Sequence, residues 1–520
     1  MSLSLLPLAA PAALLVPACL ALAMPGRRPR GLLIIAEIAA LAALGVAIAS
    51  LALLIGQGAQ TSPFLGAGLF GLSVRLDAVS ASMLALVAFI GWIVLRYSAC
   101  YLDGEARQGE FIGWMSATLA TVLLFVISGN LIQLALTWVL TSLFLHKLLL
   151  FYPDRAAAQR AARKKFLFAR LGDAAMIGAV ILLIARTGTS DLASVIAALK
   201  SGQNGLMVVA AATLIALAAL LKSAQFPTHG WLTEVMETPT PVSALLHAGV
   251  INAGGFLLIR LADVLLAAPG VLALLVMVGG FTALFGGLVM LTQSSVKTAL
   301  AWSTVAQMGF MMLQCGLALF PLALLHIIAH SLYKAHAFLS SGTAVEVVAS
   351  GRRPGPVAVP NLKAVGRAFL LALGIYAAIA LAFGLDNKSP QAIALGAILI
   401  LGVAYLLAQG LADAAPRALT WRTSLLAGLA SVSYFALQRI AEALTAGALP
   451  VTPSPGPLEW GLVALAMVSF GLVAFAQATF PLWSDHPAAA GLRVHLANGL
   501  YANAVFDRWL GGWKRSRTAA

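Results

Sequence analysis

The chain has 520 residues, of which 61% are hydrophobic and only 10% are charged, and its mean hydropathy is +0.96. A soluble protein could not bury that much apolar surface, so the composition excludes a soluble globular protein and indicates a lipid bilayer as the surroundings. The net charge of +14 falls mainly between apolar runs, which excludes nucleic-acid binding as its explanation.

Apolar runs recur along the whole chain, and each is about long enough to cross a bilayer. No long hydrophilic domain interrupts them. Their number predicts an all-α polytopic membrane protein with about fifteen transmembrane helices. The runs lie near 3–23, 31–55, 76–99, 111–128, 131–151, 166–185, 205–222, 241–264, 270–292, 298–319, 321–349, 366–385, 391–411, 423–446 and 458–480.

Basic residues are concentrated after the odd-numbered runs, and none precedes the first run. We therefore interpret the first run as a retained helix and not as a signal peptide. The positive-inside rule predicts a periplasmic N-terminus and a cytoplasmic C-terminus. The residues that carry this pattern are Arg27, Arg28, Arg30, Arg96, Arg107, Arg155, Arg160, Arg163, Lys164, Lys165, Arg352, Arg353, Lys363, Arg367, Arg417, Arg422, Lys514, Arg515 and Arg517.

One polar, proline-rich segment divides the chain. This segment is Arg352–Pro360, RRPGPVAVP, and it places a connector at 351–365. We expect a first transmembrane region over 1–350, further transmembrane helices over 366–480 and a cytoplasmic tail over 481–520.

A lysine follows an apolar run directly before a helix break. The run Leu206–Leu221 ends at Lys222, the pattern breaks at Pro227, and a later helix carries His247 into an apolar stretch. A lysine at membrane depth is costly, and a broken helix there is tolerated only within protein or beside a water-filled cavity. These features predict an ion path. The alternative is a lysine that extends from a helix end to the membrane surface.

Two histidines and a lysine repeat at intervals of four residues. Each step from His326 to His330 to Lys334 turns about 400° and rises about 6 Å, so the three side chains project from nearly one face. Histidine changes its charge near neutral pH, which suits a proton relay. A zinc pair and a structural polar core are the alternatives.

Other charged residues have weaker local signals. Arg170 and Asp173 lie three residues apart at the start of the sixth run and could form an ion pair. Asp77 begins the third run, where it is a candidate relay or is simply solvated at the outer interface. Lys297 has the position of an ordinary loop lysine.

From about Leu65 to Ser350 the chain resembles the antiporter-like subunits of respiratory complex I and the Mrp cation antiporters. The motifs KSAQFPTHGWL, PTPVSALLHAG and TQSSVKTALAWSTVAQMG and the histidine–lysine row match that family in order. The resemblance implies inverted repeats, discontinuous helices and a hydrated polar axis at mid-membrane. It also implies a proton path that includes Lys222, His247, Lys297, His326, His330 and Lys334.

At two places the chain departs from the usual pattern of this family, and these departures indicate a particular group within it. Val139 stands where the family usually has a glutamate, and Tyr376 is the only ionisable residue between Arg367 and Asp386. With the variants VMETPTPVSALLHAGVINAGGFLLIR and SLYKAHAFLSSG, these departures resemble the DabB-type subunits of bacterial DAB inorganic-carbon accumulation complexes. A bona fide complex I or Mrp subunit and a structural membrane anchor are the alternatives.

The DabB resemblance implies a partner. That partner is a large soluble DabA-type subunit that binds zinc and resembles β-carbonic anhydrases. Flow of protons or Na+ through this chain would drive CO2 hydration in the partner. The resemblance thus implies a non-enzymatic subunit of the bacterial inner membrane without metal or other cofactor, with the zinc in the partner.

The missing glutamate requires a replacement, because a buried lysine needs a group that stabilises or exchanges its charge. Asp173 is the favoured charge partner of Lys222, although Arg170 competes for it. His146 follows Val139 by seven residues, returns to within about 20° of the same face, and is a candidate relay.

Overall fold

The computed structural model describes residues 3–68, 70–342, 360–384, 388–412 and 415–509. Within these ranges the chain is a bundle of α-helices, and thirteen helical spans are long and apolar enough to cross a membrane. The predicted all-α polytopic class is therefore confirmed. Of the predicted connector, 351–359 lies outside the described residues, as do Asp386 and the last part of the tail, 510–520.

The first third of the chain forms long helices and two short β-ribbons. In the ribbons, β1 (Gln60–Thr61) pairs antiparallel with β4 (Arg75–Leu76), and β2 (Leu65–Ala67) pairs antiparallel with β3 (Phe70–Leu72). The helices are α1 (Ala9–Leu20, after a 3-10 turn at Leu3–Leu8), α2 (Arg30–Gln57), α3 (Ala78–Tyr101), α4 (Gln108–Val126), α5 (Leu131–Leu149) and α6 (Ala156–Thr187).

The middle of the chain contains the broken helices. Its elements are α7 (Leu192–Lys200), α8 (Leu206–Lys222), α9 (Gly230–Thr233), a 3-10 turn at Val235–Glu237, α10 (Thr240–Ala248), a 3-10 turn at Val250–Asn252, α11 (Ala253–Arg260), α12 (Ala262–Leu266), α13 (Pro269–Met290), α14 (Val296–Gly316) and α15 (Phe320–Leu339).

The last third has a small apolar core of its own around Tyr376 and Phe435. Its elements are α16 (Leu362–Ala382), α17 (Pro390–Gly410), α18 (Arg417–Thr445), α19 (Pro457–Ala478), α20 (Phe480–Trp483), α21 (Pro487–Ala497), a 3-10 turn at Gly499–Tyr501 and α22 (Ala502–Trp509).

Every predicted apolar run corresponds to a helix, but two runs are not among the thirteen spans. The helix α8 has only 17 residues. The helix α14 is long enough but contains polar side chains, among them Lys297, Gln307 and Gln314. The polar composition of α14 is the reason that its mean hydropathy is low, and the predicted count of about fifteen is approximate for this reason.

The stretch predicted as one helix over 241–264 is interrupted between α10 and α11. Side chains bind the backbone at this break: Asn252 Nδ2 donates to Ala248 O at 3.1 Å, and Ser223 Oγ donates to Ile251 O at 3.0 Å. Asn252 Nδ2 also donates to Ser331 Oγ of α15 at 2.9 Å. Hydrogen bonds from neighbouring segments thus stabilise an irregular backbone inside the bundle.

The helix α6 begins ten residues before the predicted run. Lys164 and Lys165, which we counted as loop residues for the orientation of the chain, are therefore helical and buried. The Lys164 ammonium lies 2.6 Å from a carboxylate oxygen of Glu234 and 2.6 Å from one of Asp507. Two carboxylates that are far from Lys164 in the sequence thus compensate its buried charge, and the contact of Asp507 joins α22 to α6.

Asp77 is a buried ion-pair residue, which argues against the alternative of simple solvation at the outer interface. Both of its carboxylate oxygens accept from the Arg260 guanidinium, at 2.6 and 3.2 Å, and one also accepts from Arg75 Nε at 2.9 Å. The other oxygen accepts from Ser80 N and caps α3. These contacts occupy the carboxylate in a structural role that joins α3 to α11.

We expect Asp77→Asn to destabilise the fold. Removing one partner leaves Arg260 as an uncompensated buried charge, which costs about 3–5 kcal/mol. The measurement is the unfolding temperature of the purified protein in detergent. Asp103→Asn is the control, since Asp103 pairs with Arg28 on the exposed surface and should have little effect. Equal unfolding temperatures for the wild type and Asp77→Asn would contradict the prediction.

Candidate functional site: two groups of buried basic residues

Lys222 ends α8 and lies against α5. Its Nζ donates to the Trp138 carbonyl oxygen at 3.1 Å and lies 4.1 Å from the centroid of the Trp138 ring. Both the carbonyl dipole and the face of the ring stabilise an ammonium group. The contacts are inside the bundle, which argues against a side chain that extends to the membrane surface. The neighbouring Val139 contributes no charge.

A small cavity lies beside Lys222. Its volume is about 20 Å³, which is room for a water molecule, and its lining includes Lys165, Lys222 and Ser142. The Lys165 side chain is almost fully buried, and its Nζ donates to Ser142 O at 2.6 Å and to Ser142 Oγ at 2.9 Å. Two lysines from different helices thus line one cavity.

Arg170 and Asp173 form the predicted local ion pair, with 2.5 Å between Arg170 Nη2 and Asp173 Oδ2. The buried Asp173 carboxylate also interacts electrostatically with Lys165 and Lys222. The direct hydrogen-bond partner of the Lys222 ammonium is the Trp138 carbonyl, so the Asp173 carboxylate acts on Lys222 from a longer distance. His146 packs on Phe166, with ring centroids 5.2 Å apart. The roles of Asp173 as charge partner and His146 as relay stay predictions.

We expect Asp173→Asn to abolish the transport that the sequence resemblance implies, because the amide removes the negative charge acting on the two lysines and cannot carry a proton. His146→Ala should only impair transport. The measurement is energy-dependent uptake of inorganic carbon by cells that express each variant. Asp154→Asn, at an exposed position, is the matched control. If both variants assemble and retain wild-type uptake, neither residue replaces the missing glutamate.

A second group of buried polar side chains meets at the end of α10. His330 Nε2 donates to the His247 carbonyl oxygen at 3.2 Å, and His247 Nδ1 is hydrogen-bonded to Thr304 Oγ1 at 3.0 Å. Lys334 Nζ donates to Leu300 O at 3.0 Å. The helices α10, α14 and α15 therefore bring together His247, His330 and Lys334, which are far apart in the sequence.

His326 and Lys297 lie at the edges of this second group. His326 Nδ1 is hydrogen-bonded to Gln314 Oε1 at 2.7 Å, and its ring centroid lies 5.9 Å from that of His330. Lys297 lies in the first turn of α14, and its Nζ donates to Thr240 Oγ1 at 3.1 Å. Lys297 is thus a half-buried helical residue rather than an ordinary loop lysine.

The residues at the break between α10 and α11 lie next to both groups of basic side chains. Val250 and Ile251 line the cavity that contains Lys165 and Lys222, and His247, just before the break, contacts His330. Side chains that can gain or lose a proton therefore lie on both sides of one irregular segment. With water between them, such groups can pass a proton from one to the next.

The zinc alternative for His326 and His330 finds no third ligand. Within the ranges that the structure describes, no three side chains of His, Cys, Asp or Glu are placed to hold one metal ion. Lys334 follows on the same side of α15, where its charge would repel a cation. The absence of a metal from this chain stays a prediction.

Sequence reasoning missed Lys165 and Ser142, as well as the Trp138 carbonyl. Lys165 precedes Asp173 by eight residues, the spacing that also separates His326 from Lys334. This spacing would have placed Lys165 near the site if α6 had been extended to its true start.

Two segments of the chain match known protein families. Residues 128–353 match the family described as NADH:quinone oxidoreductase/Mrp antiporter, TM, and residues 67–112 match NADH-Ubiquinone oxidoreductase (complex I), chain 5 N-terminus. Among solved structures, the Mrp complex from Dietzia sp. has a TM-score of 0.62 at 23% identity, covering 98% of this chain and 60% of that chain. This similarity shows the antiporter-like fold.

Closer relatives carry more specific names. The probable inorganic carbon transporter subunit DabB2 of Halothiobacillus neapolitanus is 40% identical over 468 residues, which are 88% of this chain and 82% of that protein. The probable inorganic carbon transporter subunit DabB of Hydrogenovibrio crunogenus is 44% identical over 292 residues, 56% of each chain. By these similarities the chain belongs to the DabB family of inorganic carbon transporter subunits, built on the antiporter-like fold of complex I and Mrp.

Proposed function

We propose that the chain conducts protons across the membrane and thereby drives inorganic carbon uptake by a complex of which it is the membrane subunit. The observation that carries this proposal is the arrangement of Lys165 and Lys222 on one side of the α10–α11 break and of His247, His330 and Lys334 on the other. These are costly positions for ionisable groups unless the groups have a task.

The chemistry of the two groups favours protons over Na+. Lysine ammonium and histidine imidazole groups exchange protons, whereas a cation such as Na+ is bound by oxygen ligands and repelled by ammonium groups. The Trp138 carbonyl accepts from Lys222 and the Leu300 carbonyl from Lys334, so both oxygens are occupied by lysine donors. A proton relay therefore fits these contacts better than a Na+ path.

The carbon chemistry would belong to a partner. In this proposal a large soluble subunit of the DabA type, zinc-binding and similar to β-carbonic anhydrases, hydrates CO2, and this chain supplies energy without being an enzyme. The complex would lie in the bacterial inner membrane, with the N-terminus periplasmic and the C-terminus cytoplasmic.

The test is uptake of labelled inorganic carbon by a carbonic-anhydrase-deficient host. Co-expression of this chain with a DabA-type partner should give uptake that collapses when a protonophore is added, and each subunit alone should give none. Uptake by this chain alone, or uptake that persists with the protonophore, would refute the proposal. Loss of uptake in Na+-free medium would assign Na+ in place of protons.

The second candidate is a subunit of an NADH-quinone oxidoreductase or an Mrp-type antiporter. The fold and the family matches are compatible with it. Val139 and the continuous α16, which contains Tyr376 and no charged residue after Arg367, argue against it. Purification of the native complex and identification of its partner distinguish the candidates: quinone reductase or Mrp subunits would support the second.

A further inference from the structure

We propose that Lys165 is a proton-carrying residue of the path, which exchanges a proton with Lys222 through water in the cavity between them. This inference rests on the proton conduction proposed above. It assigns part of the role of the missing glutamate to a second lysine, in addition to the carboxylate of Asp173.

The contacts of Lys165 differ from those of the adjacent Lys164. Lys164 lies 2.6 Å from carboxylate oxygens of Glu234 and Asp507, so its charge is compensated directly. Lys165 is 5% exposed, and both acceptors of its Nζ, Ser142 O and Ser142 Oγ, are neutral. Two neighbouring buried lysines therefore have different surroundings, and those of Lys165 tolerate loss of its proton.

The local charges make this loss favourable. The Asp173 carboxylate pairs with Arg170 at 2.5 Å, so it compensates the charges of the two lysines only in part. Lys165 and Lys222 remain as two basic groups that repel each other when both are charged. Repulsion between two like charges in one site favours the state in which the pair holds one proton fewer.

Ser142 suits both protonation states of Lys165. When Lys165 is an ammonium, the carbonyl and hydroxyl oxygens of Ser142 accept its hydrogen bonds, as the structure shows. When Lys165 is a neutral amine, the Ser142 hydroxyl can rotate and donate to the nitrogen lone pair. The serine thus holds the side chain in place through the cycle.

The transfer itself needs one water in the cavity of about 20 Å³ that Lys165, Lys222 and Ser142 line. The Lys222 ammonium gives a proton to the water, and the water gives one of its protons to the Lys165 amine. One N–H bond breaks at Lys222 and one forms at Lys165. Lys222 is left as a neutral amine that can take the next proton, and the water is unchanged.

The test compares Lys165→Met and Lys165→Arg in the full chain purified with its partner. The complexes are placed in liposomes with inorganic carbon, a voltage is imposed, and a pH-sensitive dye reports proton flux. Arginine keeps the positive charge but does not release its proton, so both variants should lower the flux by at least about tenfold. Ser142→Ala should give a smaller loss. Lys147→Met, at an exposed position of α5, is the matched control with wild-type flux.

The arginine variant separates proton transfer from a structural charge. Wild-type flux in Lys165→Arg, or in an assembled Lys165→Met, would overturn the role of Lys165 and leave the proposed function standing. If Lys165→Met does not assemble, Lys165→Arg decides. Carbon accumulation by the wild-type complex without any proton flux would refute the proposed function and this inference together.

Discussion

Replacement of Lys222 by methionine is expected to abolish inorganic carbon uptake while the chain still folds and assembles. Methionine has a similar length and fills the same space, so packing against Trp138 is retained. The change removes the ammonium group that donates to the Trp138 carbonyl, from a residue that lines the cavity. Methionine can neither accept nor release a proton, and it leaves no space for a water molecule in place of the ammonium group, so uptake should fall to the background of cells without the chain.

The measurement is growth of a carbonic-anhydrase-deficient host at ambient CO2, together with the amount of assembled complex in its membranes. Lys200→Met is the control, because Lys200 ends the short α7 and its side chain is largely exposed. Normal growth with Lys222→Met would show that Lys222 is not essential for coupling.

The apolar runs could be predicted because crossing a bilayer imposes a length and a composition on each helix. The same rule placed Lys222 and the row from His326 to Lys334 inside the bundle, since charged residues within such runs are exceptional. These predictions depend only on neighbouring residues. The helix α8 matches its predicted run, whereas α15 begins one residue before its run and ends at Leu339, ten residues before the predicted end.

The long-range contacts could not be predicted in this way. Asp77 and Arg260 are 183 residues apart, and nothing near either residue indicates the other as its partner. Lys164 and Lys165 look like loop residues because the segment before them is rich in alanine and basic residues. Such residues also favour helix, and partners that are distant in the sequence, on α5, directly after α9 and on α22, make their burial possible.

The break between α10 and α11 is another feature that local sequence did not reveal. No proline lies between His247 and Arg260, and the stretch reads as one apolar helix. Asn252 stabilises the break through Ser331 of a helix that comes much later in the chain. The break therefore depends on tertiary contacts, and it is the feature that joins the two groups of the candidate site.

Lys334→Met should also abolish uptake, whereas His330→Ala should lower it less. Lys334 is fully buried, and its charge is held by the Leu300 carbonyl, so no exposed group can substitute for it. His330 contacts the His247 carbonyl, and its removal leaves space that a water molecule can occupy and use to pass a proton. The two variants thus separate a group that must carry charge from one that relays a proton.

Uptake of labelled inorganic carbon and the metal content of the purified chain are the two measurements. The exposed His336→Ala on the same helix is the control and should retain wild-type uptake. Neither His330→Ala nor Lys334→Met should change the metal content, because the relay needs imidazole and ammonium groups and not a metal ion. Stoichiometric zinc in the wild-type chain, lost in His330→Ala, would instead assign the two histidines to a metal site, since that loss requires His330 to be a ligand.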